Sequence, residues 1–354
     1  MVRTLIRALA PLLVAPFLWS GAAEAGTIAA APPPMTADVS AGSVRNDTFP
    51  AVTASYPEGV VAQGNVEYAN LKGYRPLLLD LYSHADAPSH ALRPLIVYIH
   101  GGGWSRGDAR GSGAFTDFPA VLASVAAHGY VVASVNYRLS SEAPFPAAIQ
   151  DVKAAIKFLR RHAAAYGIDP KRVIVWGGSA GGHLAGLAAT TCGTAAFEPA
   201  ISTGRLSGAQ AKAAKADDMD DCVQGAALWY GIFDMTKDAP GAPTDVMTKD
   251  VPEALGCPSV DACTAVAAQA SPIRYVSAQT PPVLLVDGLA DVEVPPQQTQ
   301  AMAATLQRAG VATDTLYLPG VGHGLIGPTA QATREASLKA LQATVDFFDR
   351  ITRN

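Results

Sequence analysis

An apolar run, Val173-Ile174-Val175-Trp176, ends directly in Gly177-Gly178-Ser179-Ala180-Gly181, and small helix-forming residues follow. That order demands a strand, a sharp turn and a helix in immediate succession. Such a turn is strained, and glycines at 177 and 181 let neighbouring elements pack where a Cβ would clash. It lifts the Ser179 hydroxyl above the C-terminal edge of a sheet, where open α/β folds bind ligands. The helix start beneath it adds partial positive charge. The chain carries 32 glycines, so G-x-S-x-G alone could be a plain glycine-rich turn. The rest of the sequence has to supply the context.

The context is a regular alternation. Asn65–Ala69 and Leu77–Tyr82 read as opening antiparallel strands joined at Lys72-Gly73. Leu95–Ile99 is a continuous apolar run, as expected of a strand buried on both faces. Residues 114–128 read as a helix, Tyr130–Val135 as a strand, and Ala147–Tyr166 as a long amphipathic helix ending at Gly167. After the serine turn, His183–Thr190 continues as a helix. Val223–Trp229, Val283–Val286 and Asp314–Leu318 read as strands, and Pro295–Ala309 and Thr329–Ile351 as closing helices. This is βαβ grammar. It predicts one α/β domain over residues 61–354, with a mostly parallel sheet and helices on both faces. Residues 193–221 break the rhythm and read as a surface insertion. Its acidic run, Asp217 to Asp221, lacks the spacing of a calcium loop and reads as solvated charge.

The N-terminus reads as a signal peptide over residues 1–25. Arg3 and Arg7 precede a short apolar stretch interrupted by Pro11 and Pro16, and Ala23-Glu24-Ala25 is a cleavage site. The stretch is short of the roughly 20 apolar residues of a membrane span, so no stable membrane insertion is expected after cleavage. Residues 26–60, rich in Ala, Pro, Thr and Ser, read as a flexible lead-in. A periplasmic or secreted location is the expectation, and an oxidising compartment makes the four Cys disulfide candidates. The pairing expected from local proximity is Cys192 with Cys222 and Cys257 with Cys263, one of three possible connectivities. No metal site is expected, because neither C-x-x-C spacing nor clustered His is present. The net charge of −4 comes without a basic run, which argues against nucleic acid as a partner.

Three further stretches carry chemistry. His100-Gly101-Gly102-Gly103-Trp104 follows the Leu95–Ile99 strand directly, and its glycines leave backbone N–H groups open to an incoming carbonyl oxygen. Gly102 and Gly103, with Ala180 from the serine turn, are the candidate oxyanion donors. Trp104 is the candidate substrate-binding residue and, with the 193–221 insertion, is expected to border the pocket. With no long cap ahead of the core, an open site is expected. His323 lies in a glycine-rich loop after the last strand, the position of a general base. Asp291, in the loop after Val283–Val286, is the candidate acid that orients His323; Asp287 and Glu293 compete for that role. His100 and His183 read as structural, and Arg138 with Asp151 as an internal polar brace. No cofactor is needed.

The chain resembles the bifunctional feruloyl/acetyl-xylan esterase branch (BD-FAE-like) of the α/β-hydrolases, near the hormone-sensitive-lipase group. The stretches that carry the likeness are HGGGW (100–104), residues 136–151, residues 166–185, SPIRYV (271–276) and GHG (322–324). Ser141 stands where the family usually has proline, and Asp287 and Val292 depart from its usual late loop. The resemblance implies an eight-stranded hydrolase sheet and a Ser179–His323–Asp291 serine esterase. The substrate would be a small-molecule or polysaccharide ester with a small or aromatic acyl group. Two other readings stay open: an arylformamidase or peptidase-type amide hydrolase, and a non-catalytic binding module of the same fold. Oligomeric state is open.

Overall fold

The computed structural model describes residues 52–86, 91–216, 218–242 and 244–353. The expected signal peptide, and the lead-in up to Ala51, lie outside the described residues. The strands are β1 (Val52–Ser55), β2 (Val60–Ala69), β3 (Leu77–His84), β4 (Arg93–Ile99), β5 (Val131–Val135), β6 (Ile168–Gly178), β7 (Gly225–Trp229), β8 (Val283–Gly288) and β9 (Thr313–Leu318). They form one nine-stranded sheet in the order β1-β2-β3-β5-β4-β6-β7-β8-β9. Pairing is antiparallel from β1 to β5 and parallel from there to β9.

The sheet has nine strands where eight were expected. The extra one, β1, comes from the end of the expected lead-in. It is an edge strand with every residue exposed, so it carries no hydrophobic alternation to announce it.

The helices are α1 (Phe118–Ala127), α2 (Ala147–Arg161), α3 (Ala163–Tyr166), α4 (Ala180–Thr190), α5 (Gly208–Ala213), α6 (Val251–Leu255), α7 (Thr264–Gln269), α8 (Gln297–Arg308) and α9 (Ala330–Thr352). Helix α1 starts later than its apolar pattern does. Asp117 caps it by accepting from Ala120 N at 3.1 Å, and a proline occupies its first turn. The long helix after Ala147 is interrupted at His162, and its second piece ends on Gly167 at φ +66°.

Alternate residues of the central strands feed two cores. Leu95, Val97, Ile99, Val173 and Val175 pack with α2, α4 and α8 on one face. Ile96, Tyr98, Ile174 and Trp176 pack with α1 and α9 on the other. Both faces are thus dry, which is why β4 reads as an unbroken apolar run.

Two buried ion pairs sit in this core. Arg138 and Asp151 form a buried bidentate pair, with contacts of 2.7 and 2.8 Å. Lys153 reaches Asp221 at 2.8 Å, and Asp221 also accepts from Gly193 N at 2.9 Å. Beside it Cys192 is joined to Cys222, while Cys257 is joined to Cys263 between α6 and α7.

The 193–221 insertion does not border the cleft beside Ser179, contrary to expectation. Helix α4 carries the chain from the C-terminal edge of the sheet back toward the N-terminal edge, and the insertion departs from there. It runs over α2, where Lys157 meets Glu198, and reaches the end of β2, where Arg205 pairs with Glu67 and Gly204 N donates to Asn70 O. The chain that does cover the C-terminal edge follows β7. There a widened π turn, Val246–Asp250, leads into α6.

Candidate active site

Ser179 occupies the turn between β6 and α4 at φ +56°, a conformation that a non-glycine residue adopts only when its surroundings impose it. Its N–H donates to Trp229 O at 3.0 Å and its carbonyl accepts from His183 N at 3.0 Å, so both sides of the turn are tied down. Gly181 is obligatory here, because a Cβ on it would stand 2.0 Å from Ile99 O.

Ser179 Oγ lies 3.0 Å from His323 Nε2, and His323 Nδ1 lies 2.7 Å from Asp291 Oδ2. With Nδ1–H donating to the carboxylate, Nε2 is free to accept the serine proton. Asp291 is buried, and its other oxygen accepts from Glu293 N and Val294 N, both at 2.9 Å. Burial disfavours the charged imidazole. The Asp291 hydrogen bond and charge, helped by Glu293 and Asp287, outweigh that and raise the His323 pKa above its usual value.

The competitor Asp287 is fully buried at the end of β8, and Thr299 Oγ1 donates to its Oδ2 at 2.5 Å. Burial, reinforced by the charge of Asp291, pushes its carboxyl up to about 7. The second competitor, Glu293, is exposed and contributes its backbone N–H to Asp291.

The loop after β4 closes against the serine turn. Gly102 sits at φ +110°, and a Cβ there would lie 2.2 Å from Arg106 O. Gly102 O accepts from Ser105 N and Arg106 N, which folds the loop back on itself. The N–H groups of Gly102 and Gly103 meet no acceptor among the described residues. Ala180 opens α4, so its N–H has no helical acceptor.

His100 and His183 are structural. His100 donates to Gly101 O at 2.7 Å and stacks on Tyr137, and burial lowers its pKa to about 4. His183 donates to Ala270 O at 2.7 Å and accepts from Trp104 Nε1 at 3.1 Å; burial likewise lowers it to about 4.

Ser179, His323 and the Gly101–Gly103 loop line a cleft of about 340 Å³ together with Trp104, Arg106, Tyr230, Ile232, Asp250 and Glu293. Trp104 is 4% exposed, so little of its surface faces the cleft it lines. Sequence reasoning missed Tyr230 and Asp250. Tyr230 sets its ring edge-on to His323 at 5.0 Å between centroids, and burial raises its phenol well above the ordinary tyrosine range, so it stays a neutral donor. A signal for it existed, since it follows β7 at the C-terminal edge where this class of sheet places its sites. Asp250 gave no such signal, because it arrives on a short turn in the β7–β8 connection.

A parallel sheet with a strained serine between β6 and α4, an acid after β8 and a histidine after β9 defines an α/β-hydrolase. The BD-FAE family model matches residues 79–306, and the chain belongs to that family. Among curated relatives it is 32% identical to "Esterase LipQ" of Mycobacterium tuberculosis over 71% of this chain and 55% of that one. It is 30% identical to "Esterase LipC" of the same organism over 72% of this chain and 60% of that one. The chain thus spans about half to three-fifths of the length of these relatives. Among solved structures, a "Truncated form of carbohydrate esterase from gut microbiota" superposes with TM-score 0.66 at 26% identity, covering 85% of this chain and 99% of that one.

Among the described residues no helix is long and apolar enough to cross a membrane.

Proposed function

We propose that this protein is an exported serine carboxylesterase acting on small or aromatic acyl esters, acetyl or feruloyl groups on carbohydrate among them. The observation that carries the reading is the continuous line Ser179 Oγ, His323 Nε2, His323 Nδ1, Asp291 Oδ2, with links of 3.0 and 2.7 Å. Ser179 attacks the ester carbonyl while His323 takes its proton. The carbonyl oxygen becomes an oxyanion facing the N–H groups of Gly102, Gly103 and Ala180. The carbon–oxygen bond of the alcohol then breaks, and His323 returns the proton to the departing oxygen. Water, deprotonated by His323, attacks the acyl-enzyme; the Ser179 Oγ–carbon bond breaks, His323 returns the proton to Ser179 Oγ, and the acid leaves. Asp291 holds one tautomer of His323 and stabilises the imidazolium.

The carbohydrate side of the reading draws on the carbohydrate esterase among the structural neighbours and on the rim of the cleft. Arg106, Asp250 and Glu293 stand there beside the aliphatic Ile232 and Val246, polar groups suited to a hydroxyl-rich alcohol. Export is supported by the N-terminal signal pattern and by the two cystine pairs.

The test is a substrate panel with an active-site label. A fluorophosphonate should mark the wild type and leave Ser179→Ala unmarked. Among p-nitrophenyl acetate, methyl ferulate and acetylated xylan, those the wild type hydrolyses should be left intact by Ser179→Ala. Turnover of an N-formyl arylamine in preference to every ester would replace the reading with amide hydrolysis. Labelling that persists in Ser179→Ala would remove the nucleophile.

A further inference from the structure

Trp104 stands between two cavities. On one side lies the catalytic cleft. On the other lies a void of about 20 Å³ lined by Phe145, Ala148, Leu184, Met235 and Leu255. The surface of the void is mostly apolar, although Arg138, Ser140 and His183 also line it, and Trp104 is the side chain common to both cavities.

The indole is held in place. Its backbone sits at φ +59°, where a bulky residue stays only under constraint. Its carbonyl accepts from Ser140 N at 2.9 Å. Its Nε1–H donates to His183 Nδ1 at 3.1 Å, and the ring meets His183 edge-on at 5.3 Å. His183 is fixed in turn by donating Nε2–H to Ala270 O. The wall is therefore built into the scaffold, not a side chain resting against it.

The esterase mechanism orients a substrate against this wall. The departing alcohol oxygen must lie within reach of His323 Nε2, and the carbonyl oxygen must face the Gly102–Gly103 loop. The acyl substituent then points away from His323, toward the residue that follows the oxyanion loop, which is Trp104. The void behind it takes no residue from the loops after β8 and β9 that carry Asp291 and His323.

We propose that Trp104 is the end wall of the acyl site. It confines the acyl group to a few carbons, which selects acetyl over feruloyl among the esters proposed above, and the void behind it becomes a path for longer chains once the indole is removed. The proposal rests on the esterase reading given above. The specificity of the site is then set by one side chain fixed through a histidine that takes no part in the chemistry.

The test compares p-nitrophenyl octanoate with p-nitrophenyl acetate. The ratio of their kcat/KM values does not depend on how much of a preparation is active. In the wild type this ratio should be below one. It should rise about tenfold or more in Trp104→Ala and in Trp104→Val, since a few methylenes gain an apolar pocket. Trp104→Phe, which keeps most of the wall, should stay near the wild type. Adding Leu255→Phe to Trp104→Ala refills the void and should bring the ratio back down. A wild-type ratio at or above one, or an unchanged ratio in both small-residue variants, overturns the proposal. So does a rise confined to acetate esters of longer alcohols, which would put Trp104 on the alcohol side. If the wild type neither hydrolyses acetate nor takes up the fluorophosphonate at Ser179, the esterase reading itself falls, and the proposal with it.

Discussion

Thr299 Oγ1 donates a hydrogen bond to Asp287 Oδ2 at 2.5 Å, which anchors the acid at the end of β8 to helix α8. The second acid, Asp291, is held by the N–H groups of Glu293 and Val294 with its other oxygen on His323. The two carboxyl groups leave the same strand and enter different chemistry. Asp291→Asn should therefore lower kcat by about 10⁴-fold, the loss that imposing the wrong histidine tautomer causes in serine proteases. Asp287→Asn should cost less than about tenfold, because it touches packing rather than the imidazole. kcat for both variants, with Tm as a folding control, decides the matter; the reverse order of losses would move the acid to Asp287.

The pH profile follows from the raised His323 pKa. The ring must be neutral to accept the Ser179 proton, so kcat/KM should fall as pH drops through that pKa. The midpoint of this acid limb should lie above the ordinary histidine value of about 6.5. Glu293→Gln removes one of the charges that raise it, so the midpoint should move down while the plateau rate stays within about threefold. An acid limb that stays put, or moves up, contradicts the electrostatic account.

Stability should carry a separate pH signature from Asp287. Its folded-state carboxyl is raised to about 7, above its unfolded value, so the folded protein holds this proton more tightly. The stabilisation is complete below the unfolded value near 4 and is lost as pH rises through about 7. Relative to Asp287→Asn, the wild-type Tm should decline by a few degrees between pH 4 and pH 8, on the order of 1 kcal/mol or more of lost stability. Parallel Tm curves for the two proteins would refute this.

The pair Lys153–Asp221 is a stability device away from the cleft. Lys153→Met leaves the Asp221 carboxylate buried without its cation, a change that costs about 3–5 kcal/mol in comparable pairs. Tm should drop by roughly 10 °C, while turnover per labelled active site holds steady. A variant that melts within about 2 °C of the wild type would show that water or rearrangement replaces the lysine.

The two cystine pairs close loops of very different size, with sequence separations of 30 and 6. On the chain-entropy account the longer loop contributes more. Cys192→Ser/Cys222→Ser should lower Tm by more than Cys257→Ser/Cys263→Ser, with the former losing about 3.6 kcal/mol on that account. Thermal melts of the two double variants test the order, and non-reducing peptide mapping tests the pairing.

What was legible in the sequence was what local geometry forces. The turn at Ser179 needs small residues where Ile99 O and neighbouring backbone press in, and the loop at Gly102 needs a positive φ, so both announce themselves in a short window. The buried strands were legible because two dry faces leave no room for polar residues. Strand β1 was not, since an exposed edge strand obeys no such rule. The insertion was recognised but misplaced, because its position depends on the direction in which α4 returns the chain and not on its composition. Asp250 and the π turn around it were invisible for a related reason: short irregular pieces find their place through tertiary packing alone.

Helix α5 buries no residue and lies within the insertion that supplies nothing to the cleft. It is consequently a handle. Fusing a carbohydrate-binding module there, or immobilising the protein through Lys212, would tether the molecule by a part of its surface that the cleft does not use. The same property leaves that surface free to change in length and composition without altering the residues around Ser179.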